Sequence, residues 1–277
     1  MGKSVGFIGN FKGKFGNAVG YKVSQSNSGT NQGVRVYQPN IKNPKSAAQA
    51  EQRAKYAPIF ATYRALKSII DRGNESKPYG NASRVAWLKK AFKAQTMPWF
   101  EKGTQIDAPV CCQLTHGSLS GIDFENGEEK IIINAPSMQQ GTSIATIGAL
   151  STALKTDYPA LKDGDQITIV SVAGVNGTLR AVVFSFIIDP TSTEATTYFV
   201  GKRVQIECKI PGAGNFGSVI VSREGANGKH LRSTASLIGW NEAVEEVPFD
   251  DASKQSAIAS YMANDSANAD WAEESIQ

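Results

Sequence analysis

The residues best suited to acid–base or nucleophilic chemistry are two histidines and an adjacent pair of cysteines. His116 and His230 each lack a Ser, Cys or Asp partner at the spacing of a catalytic motif. Cys111 and Cys112 closely precede His116, but adjacent cysteines on a strand more often serve as small buried side chains. An enzyme that uses His116 or Cys111 is therefore the third of three hypotheses, and we expect no enzymatic activity.

The sequence predicts neither a metal site nor a nucleotide site. The histidines and cysteines do not have the spacing of zinc ligands. Three residues separate Gly9 from Gly13-Lys14, whereas a phosphate-binding loop has four, and Phe15 holds the position of its Ser or Thr. Four acids lack the alternating ligands of a calcium loop and are predicted at turn and surface positions: Asp163, Asp165, Asp250 and Asp251. We expect no cofactor.

A basic, glycine-rich arm opens the chain and carries the strongest functional signal. Its seven Lys and Arg residues form the candidate nucleic-acid-binding site: Lys3, Lys12, Lys14, Lys22, Arg35, Lys42 and Lys45. Phe7, Phe11, Phe15 and Tyr21 are interleaved with them. Such lysines can neutralise phosphates while the rings stack on unpaired bases. The alternative, a hairpin with aromatic residues in the core and solvated lysines, stays open.

A smaller basic group lies further along the chain, on a predicted hairpin. It consists of Arg223, Lys229 and Arg232. Because Glu224 adjoins them in sequence, we predict a surface ion-pair patch of little energy. These residues are therefore left out of the candidate site.

Charge is distributed unevenly along the 277 residues. Residues 1–102 hold 18 Lys and Arg against 4 acids, a net charge of +14, and the remainder is 11 − 21 = −10. Residues 241–277 hold 9 acids and one lysine. This separation favours a nucleic-acid or anionic partner, or contact between opposite ends of neighbouring copies. The alternative is neutralisation of the two ends within one molecule.

The pattern of elements predicts an α+β fold that is mainly β: an antiparallel β-sandwich or jelly roll with an N-terminal basic arm and a helical segment. We expect four regions. They are a basic Gly-rich arm or hairpin at 1–45, a helical region at 46–102, the sandwich at 103–248, and an acidic tail with a short helix at 249–277.

Two long helices are expected in the helical region. Ser46 is the predicted N-cap of the first, and Pro58 should kink or split it. The second should run from Ser83 to about Gln95. Its predicted buried residues are Val85, Leu88 and Phe92, and its predicted outward residues are Arg84, Lys89, Lys90 and Lys93.

Short strand patterns separated by turn residues follow Gly103. The predicted strands are 108–114, 130–134, 166–172, 180–188, 196–210, 218–223 and 229–237. Asn227-Gly228 predicts a tight hairpin turn between the last two. Residues 151–161 are predicted to be a short helix or loop, and Ala252–Met262 a short helix.

The sequence also predicts the compartment. The odd count of three cysteines predicts no disulfide framework, which favours a reducing interior. No apolar run reaches the roughly 20 residues of a membrane span, and the N-terminus has no signal-peptide core. We therefore expect synthesis in a host cytoplasm and no membrane span.

Short motifs follow one another along residues 9–237: Gly13-Lys14-Phe15-Gly16-Asn17, Val19-Gly20-Tyr21, Asn43-Pro44, Gly164-Asp165-Gln166-Ile167-Thr168, and Ser222-Arg223 with Gly228-Lys229 and Arg232-Ser233-Thr234. As an ordered set they resemble an uncharacterised domain-of-unknown-function family from Bacteroidota and their phages. His116 and the acidic tail depart from the resemblance. The family carries no established activity, so the resemblance implies no functional residue. It does raise the expectation of a virion protein.

Two hypotheses without enzymatic activity follow. The first is a structural protein of a phage virion, a capsid subunit that self-assembles into a homo-oligomer or shell, with the basic arm toward DNA or RNA. The second is a soluble nucleic-acid-binding protein that forms no shell. Both depend on the basic arm and the separation of charge.

Overall fold

A computed structural model describes the protein in two units, Met1–Lys45 and Ser46–Gln277. In the first unit it describes the backbone of three strands, and in the second it describes residues 46–94, 96–139, 144–225, 230–240 and 249–263. The first unit contains β1 (Gly13–Phe15), β2 (Ala18–Lys22) and β3 (Gln32–Val36) in an antiparallel sheet of that order. In its register, Lys14 lies opposite Val19, which lies opposite Arg35.

The second unit begins with three helices: α1 (Ala47–Ala65), α2 (Lys67–Ile70) and α3 (Asn81–Ala91). The predicted N-cap is confirmed, because the Ser46 side chain accepts a hydrogen bond from the Gln49 amide. The predicted split at Pro58 is wrong, since α1 continues through it. The Thr62 hydroxyl donates to the Pro58 carbonyl at 2.8 Å, and α1 ends only at Leu66.

The buried face of α3 differs in part from the predicted one, since Leu88 and Phe92 pack against the core as predicted and Val85 does not. Ser83, Trp87 and Ala91 are its buried residues, whereas Val85 is 40% exposed. A Trp side chain buries more apolar area than Val, so the helix is rotated to bring Trp87 into the core. The predicted outward position of Lys89 and Lys93 is confirmed, and both are exposed.

Eleven strands are described in the second unit, all in antiparallel sheets. β5 (Phe124–Gly127), β6 (Lys130–Asn134), β10 (Gln205–Cys208) and β9 (Phe199–Lys202) form one sheet in that order. A five-stranded sheet has the order β12 (His230–Arg232), β11 (Phe216–Glu224), β7 (Gln166–Val175) and β8 (Thr178–Ile187), with β14 (Ile238–Gly239) also pairing with β11. β13 (Ala235–Ser236) pairs with β4 (Gln113–Thr115). The fold is thus α+β with mainly antiparallel sheets.

The central strands of the five-stranded sheet are buried on both faces. Ile167 and Ile169 of β7 join a core that also contains Ile131 and Ile206 of the four-stranded sheet. The alternate residue Val170 joins a second core with α1, α2 and α3. Each fully buried Ile contributes roughly 2 kcal/mol. Accordingly, six consecutive residues of β7, from Ile167 to Val172, are buried rather than every second one.

Several predicted strands change their bounds. The segment predicted as one strand at 196–210 is a hairpin, and Val204 has a φ of 58° in its turn. Most of 108–114 is irregular up to β4, and β5 was not predicted. Residues 151–161 overlap α4 (Ile147–Asp157). The Asn227-Gly228 turn lies outside the described residues, although β11 and β12 on either side of it pair as predicted.

The helix predicted near the C-terminus is confirmed as α5 (Asp251–Met262). It packs against α1, with Ala257 fully buried. Lys254 pairs with Glu51 of α1 at 3.3 Å, and the Ser260 hydroxyl accepts from the Lys102 amide at 2.9 Å. The described part of the acidic segment therefore contacts the basic half within one molecule.

Candidate nucleic-acid interface

An open groove of about 1030 Å³ runs along the outward face of α3 and brings several lysines of the described unit onto one surface. Four lysines line it, and none of its lining residues is acidic: Lys77, Lys89, Lys90 and Lys93. Ala82, Val85 and Ala86 form the apolar part of the same face. We call this surface the lysine groove.

The core side of α3 determines which residues face the groove. The Ser83 hydroxyl donates to the Ile70 carbonyl at 2.7 Å and accepts from the Asn74 amide at 3.2 Å. Trp87 lies in the core with its ring 6.1 Å from that of Tyr63. Because residues three and four apart share a helix face, these anchors turn Lys89 and Lys93 outward, about 6 Å apart along the axis.

Lys90 differs from the other lysines of the groove. Its Nζ donates to Oε1 of Gln113 at 2.7 Å, which ties α3 to β4. Burial lowers the pKa of this ammonium group. Lys77, Lys89 and Lys93 are exposed instead, and none of them forms an ion pair with another described residue. These three charges are available to an anionic ligand.

The cysteines form part of the groove floor without the properties of nucleophiles. Burial raises the pKa of the Cys111 thiol to about 11 and that of Cys112 to about 12. A thiol with such a pKa stays protonated at neutral pH, and the thiolate is the reactive form. His116 Nδ1 lies 3.3 Å from Nε2 of Gln113, so this ring nitrogen contacts an amide rather than a nucleophile.

A smaller cleft of about 320 Å³ lies where the α2–α3 loop meets β11 and β12. Its lining includes Arg72, Tyr79, His230 and Arg232, with Glu224 the single carboxylate among the lining residues. We call it the aromatic cleft. The Tyr79 ring lies 5.7 Å from the His230 ring, and the Arg72 guanidinium lies 5.9 Å above the Tyr79 ring.

An ion-pair patch around Arg223 was predicted from the neighbouring Glu224, but Arg223 pairs with Asp165 instead. Arg223 binds Asp165 through two hydrogen bonds of 2.5 and 2.7 Å. The Asp165 side chain is 1% exposed, so its predicted surface position is wrong as well. This fork-like pairing raises the pKa of the guanidinium. Asp165 also accepts from the Lys162 amide, which holds the turn before β7.

The seven basic residues predicted as the candidate site all lie in the first unit. Lys14, Lys22 and Arg35 are on β1, β2 and β3, whose backbone is described. Lys3, Lys12, Lys42 and Lys45 lie outside the described residues. The register brings Lys14, Val19 and Arg35 into one row across the sheet.

Sequence reasoning missed the lysine groove as a site. It predicted that Lys89, Lys90 and Lys93 face outward but gave them no role, and it did not associate Lys77 with them. The spacing of Lys89 and Lys93 on a helix was a usable signal. No sequence signal marked Lys77 as part of this surface, because it reaches the groove from a loop rather than from α3.

Comparison with known proteins adds no assignment. No family model, no curated protein and no solved structure matches the chain. Among the residues that the structure describes, no cluster of three or more His, Cys, Asp or Glu is placed to hold a metal ion. In the same part of the chain, none of the helices has the length and apolar character to cross a bilayer.

Proposed function

We propose that this protein is a non-enzymatic structural component of a phage virion, a capsid subunit whose folded body contacts the packaged nucleic acid. The observation that carries the nucleic-acid contact is the lysine groove, with three exposed lysines and no lining carboxylate. The basic arm is proposed to act at the same polyanion. The two larger sheets are proposed to form a β-sandwich, since both contribute to one apolar core.

The groove suits phosphates better than a small metabolite. Its lysines lie along one open face rather than in an enclosed pocket. Of the other polar lining side chains, Gln113 is already bound to Lys90 and to the Thr115 carbonyl, which leaves Thr96 as the remaining uncharged hydrogen-bonding group of the lining. Neutralising phosphates with such lysines releases counterions, and the resulting affinity is strong at low salt and independent of sequence. Contact with a packaged genome needs both properties.

The proposal is tested by binding and assembly on the same preparation of the full chain. We expect log affinity for an oligonucleotide to fall linearly with log salt, by roughly 0.7 to 0.9 for each neutralised phosphate. We also expect light scattering and electron microscopy to detect particles or ordered arrays. A monomer at every salt and protein concentration would contradict the capsid role, and salt-independent binding would contradict the phosphate contact.

The alternative is a soluble nucleic-acid-binding protein that uses the same lysines. It is favoured by the packing of α5 on α1, because the described part of the acidic segment then contacts its own molecule rather than a neighbour. The ion pair at this contact joins Lys254 to Glu51 and so neutralises none of the segment's acids. The two proposals predict the same binding behaviour and differ only in the result expected from the assembly experiment. Steep salt dependence without particles would select the alternative.

A further inference from the structure

We infer that the aromatic cleft binds an unpaired base, so that the protein prefers single-stranded to double-stranded nucleic acid. The inference deepens the proposed function and rests on it. The observation behind it is the juxtaposition of two aromatic rings with two arginines beside the lysine groove.

The cleft has the composition of a base-stacking site. Tyr79 is 49% exposed, so part of its ring faces solvent. His230, on β12, holds its ring 5.7 Å from that of Tyr79. A ring available in this way can stack on any base that is not already stacked inside a duplex. The cleft therefore selects for unpaired bases rather than for a sequence.

The charge of the cleft fits the phosphates that flank a stacked base. Arg72 and Arg232 line it without an ion pair to another described residue. Arg223 contributes little free charge, because Asp165 binds it through two hydrogen bonds. Glu224 opposes the two free arginines. The lining thus keeps a net positive charge next to its rings.

One loop connects the cleft to the lysine groove. Lys77 lines the groove and Tyr79 lines the cleft, with Pro78 alone between them. The loop is held in place, since the Gly80 amide donates to the Asp71 carbonyl at 2.8 Å and the Glu75 amide donates to the His116 carbonyl at 2.9 Å. Pro78 fixes its own φ and restricts Lys77 to extended backbone. A nucleic-acid strand bound at Lys77 of the groove can therefore reach the cleft at Tyr79, two residues further along the protein chain.

The experiment compares a labelled 20-nucleotide oligo(dT) with a 20-base-pair duplex at one salt concentration, using the full chain. We expect tighter binding of oligo(dT) by the unmodified protein. Tyr79→Ala should weaken oligo(dT) binding by about 5- to 100-fold, the range of one base–aromatic stack, and change duplex binding by less than about twofold. Tyr79→Phe keeps the ring and should retain the affinity. His230 lies on β12 and not on the loop that carries Tyr79, and His230→Ala should cause the same selective loss of oligo(dT) binding.

The outcomes separate the cleft from the groove. Unchanged oligo(dT) affinity in Tyr79→Ala, or equal affinity of the unmodified protein for both oligonucleotides, would overturn the inference and leave the proposed function intact. Equal losses for oligo(dT) and duplex in Tyr79→Ala would also overturn it, because a stacking ring cannot affect paired bases. Failure of the unmodified protein to bind either oligonucleotide would overturn the proposed function and the cleft with it.

Discussion

Glu207 and Asp165 are buried carboxylates that pair with basic side chains. Lys202 and Lys130 donate to Oε1 of Glu207 at 2.9 and 3.0 Å, and the Glu207 side chain is 6% exposed. Asp165 has Arg223 in a fork-like arrangement. Neither pair could be predicted from the sequence, because 58 residues separate Arg223 from Asp165 and 77 separate Lys130 from Glu207. The Ser46 cap, which acts over three residues, could be predicted.

The hydrogen bonds from Lys202 and Lys130 lower the pKa of Glu207 below its ordinary 4.5. A carboxylate with a lower pKa in the folded state stabilises the protein above its unfolded pKa, and this contribution is lost as pH falls through the folded pKa. We expect Glu207→Gln to lower the free energy of unfolding by about 2 kcal/mol at pH 7. The difference from the unmodified protein should shrink on acidification, in urea titrations from pH 7 downward.

The exposed Glu128 provides the control for this prediction. Glu128→Gln should change the free energy of unfolding by less than about 0.5 kcal/mol at pH 7, as is usual for surface substitutions. A Glu207→Gln deficit that stayed constant throughout the acid range would contradict the assignment of the deficit to the charged form.

At the scale of elements, two helices explain the positions of the charges. α3 carries the lysine groove because Ser83, Trp87 and Ala91 occupy the core. α5 brings part of the acidic segment back to α1. The sequence predicted the existence of α1, α3 and α5, since each is a continuous helical pattern. It placed Leu88 and Phe92 correctly against the core, but it included Val85 and omitted Trp87. Periodicity weighs Val85 like Trp87, whereas packing favours the largest apolar side chain.

The contact between α5 and α1 can be tested at Ala257, which is fully buried there. Ala257→Leu adds volume to a packed contact, so we expect a loss of roughly 1 to 3 kcal/mol in the free energy of unfolding measured with urea. Ala259, two residues further on, is exposed, and Ala259→Leu should leave the value nearly unchanged. Equal effects of the two substitutions would argue that α5 does not pack against α1.

At the scale of the molecule, a net charge of +4 results from the near-cancellation of +14 and −10. The ion pairs Arg223–Asp165 and Lys254–Glu51 of the second unit do not cancel this separation. The first lies entirely within the acidic part of the chain, and the second joins a lysine of the acidic part to an acid of the basic part. They leave Lys77, Lys89 and Lys93 together without a described acidic partner. The sequence predicted a polyanion contact from the charge separation, but it assigned the contact to the arm alone. The groove could not be predicted, since its lining comes from α3, the loop before it and the segment leading into β4.

The central claim is that the lysine groove binds phosphates. The direct test is the salt dependence of oligonucleotide binding by the triple variant Lys77→Gln, Lys89→Gln and Lys93→Gln. Its matched control removes three other exposed lysines without ion pairs, Lys67→Gln, Lys162→Gln and Lys209→Gln. We expect the groove variant to bind more weakly and its slope of log affinity against log salt to flatten by about 2 to 3, while the control keeps the slope of the unmodified protein. Equal slopes for the groove variant and the control would contradict the claim.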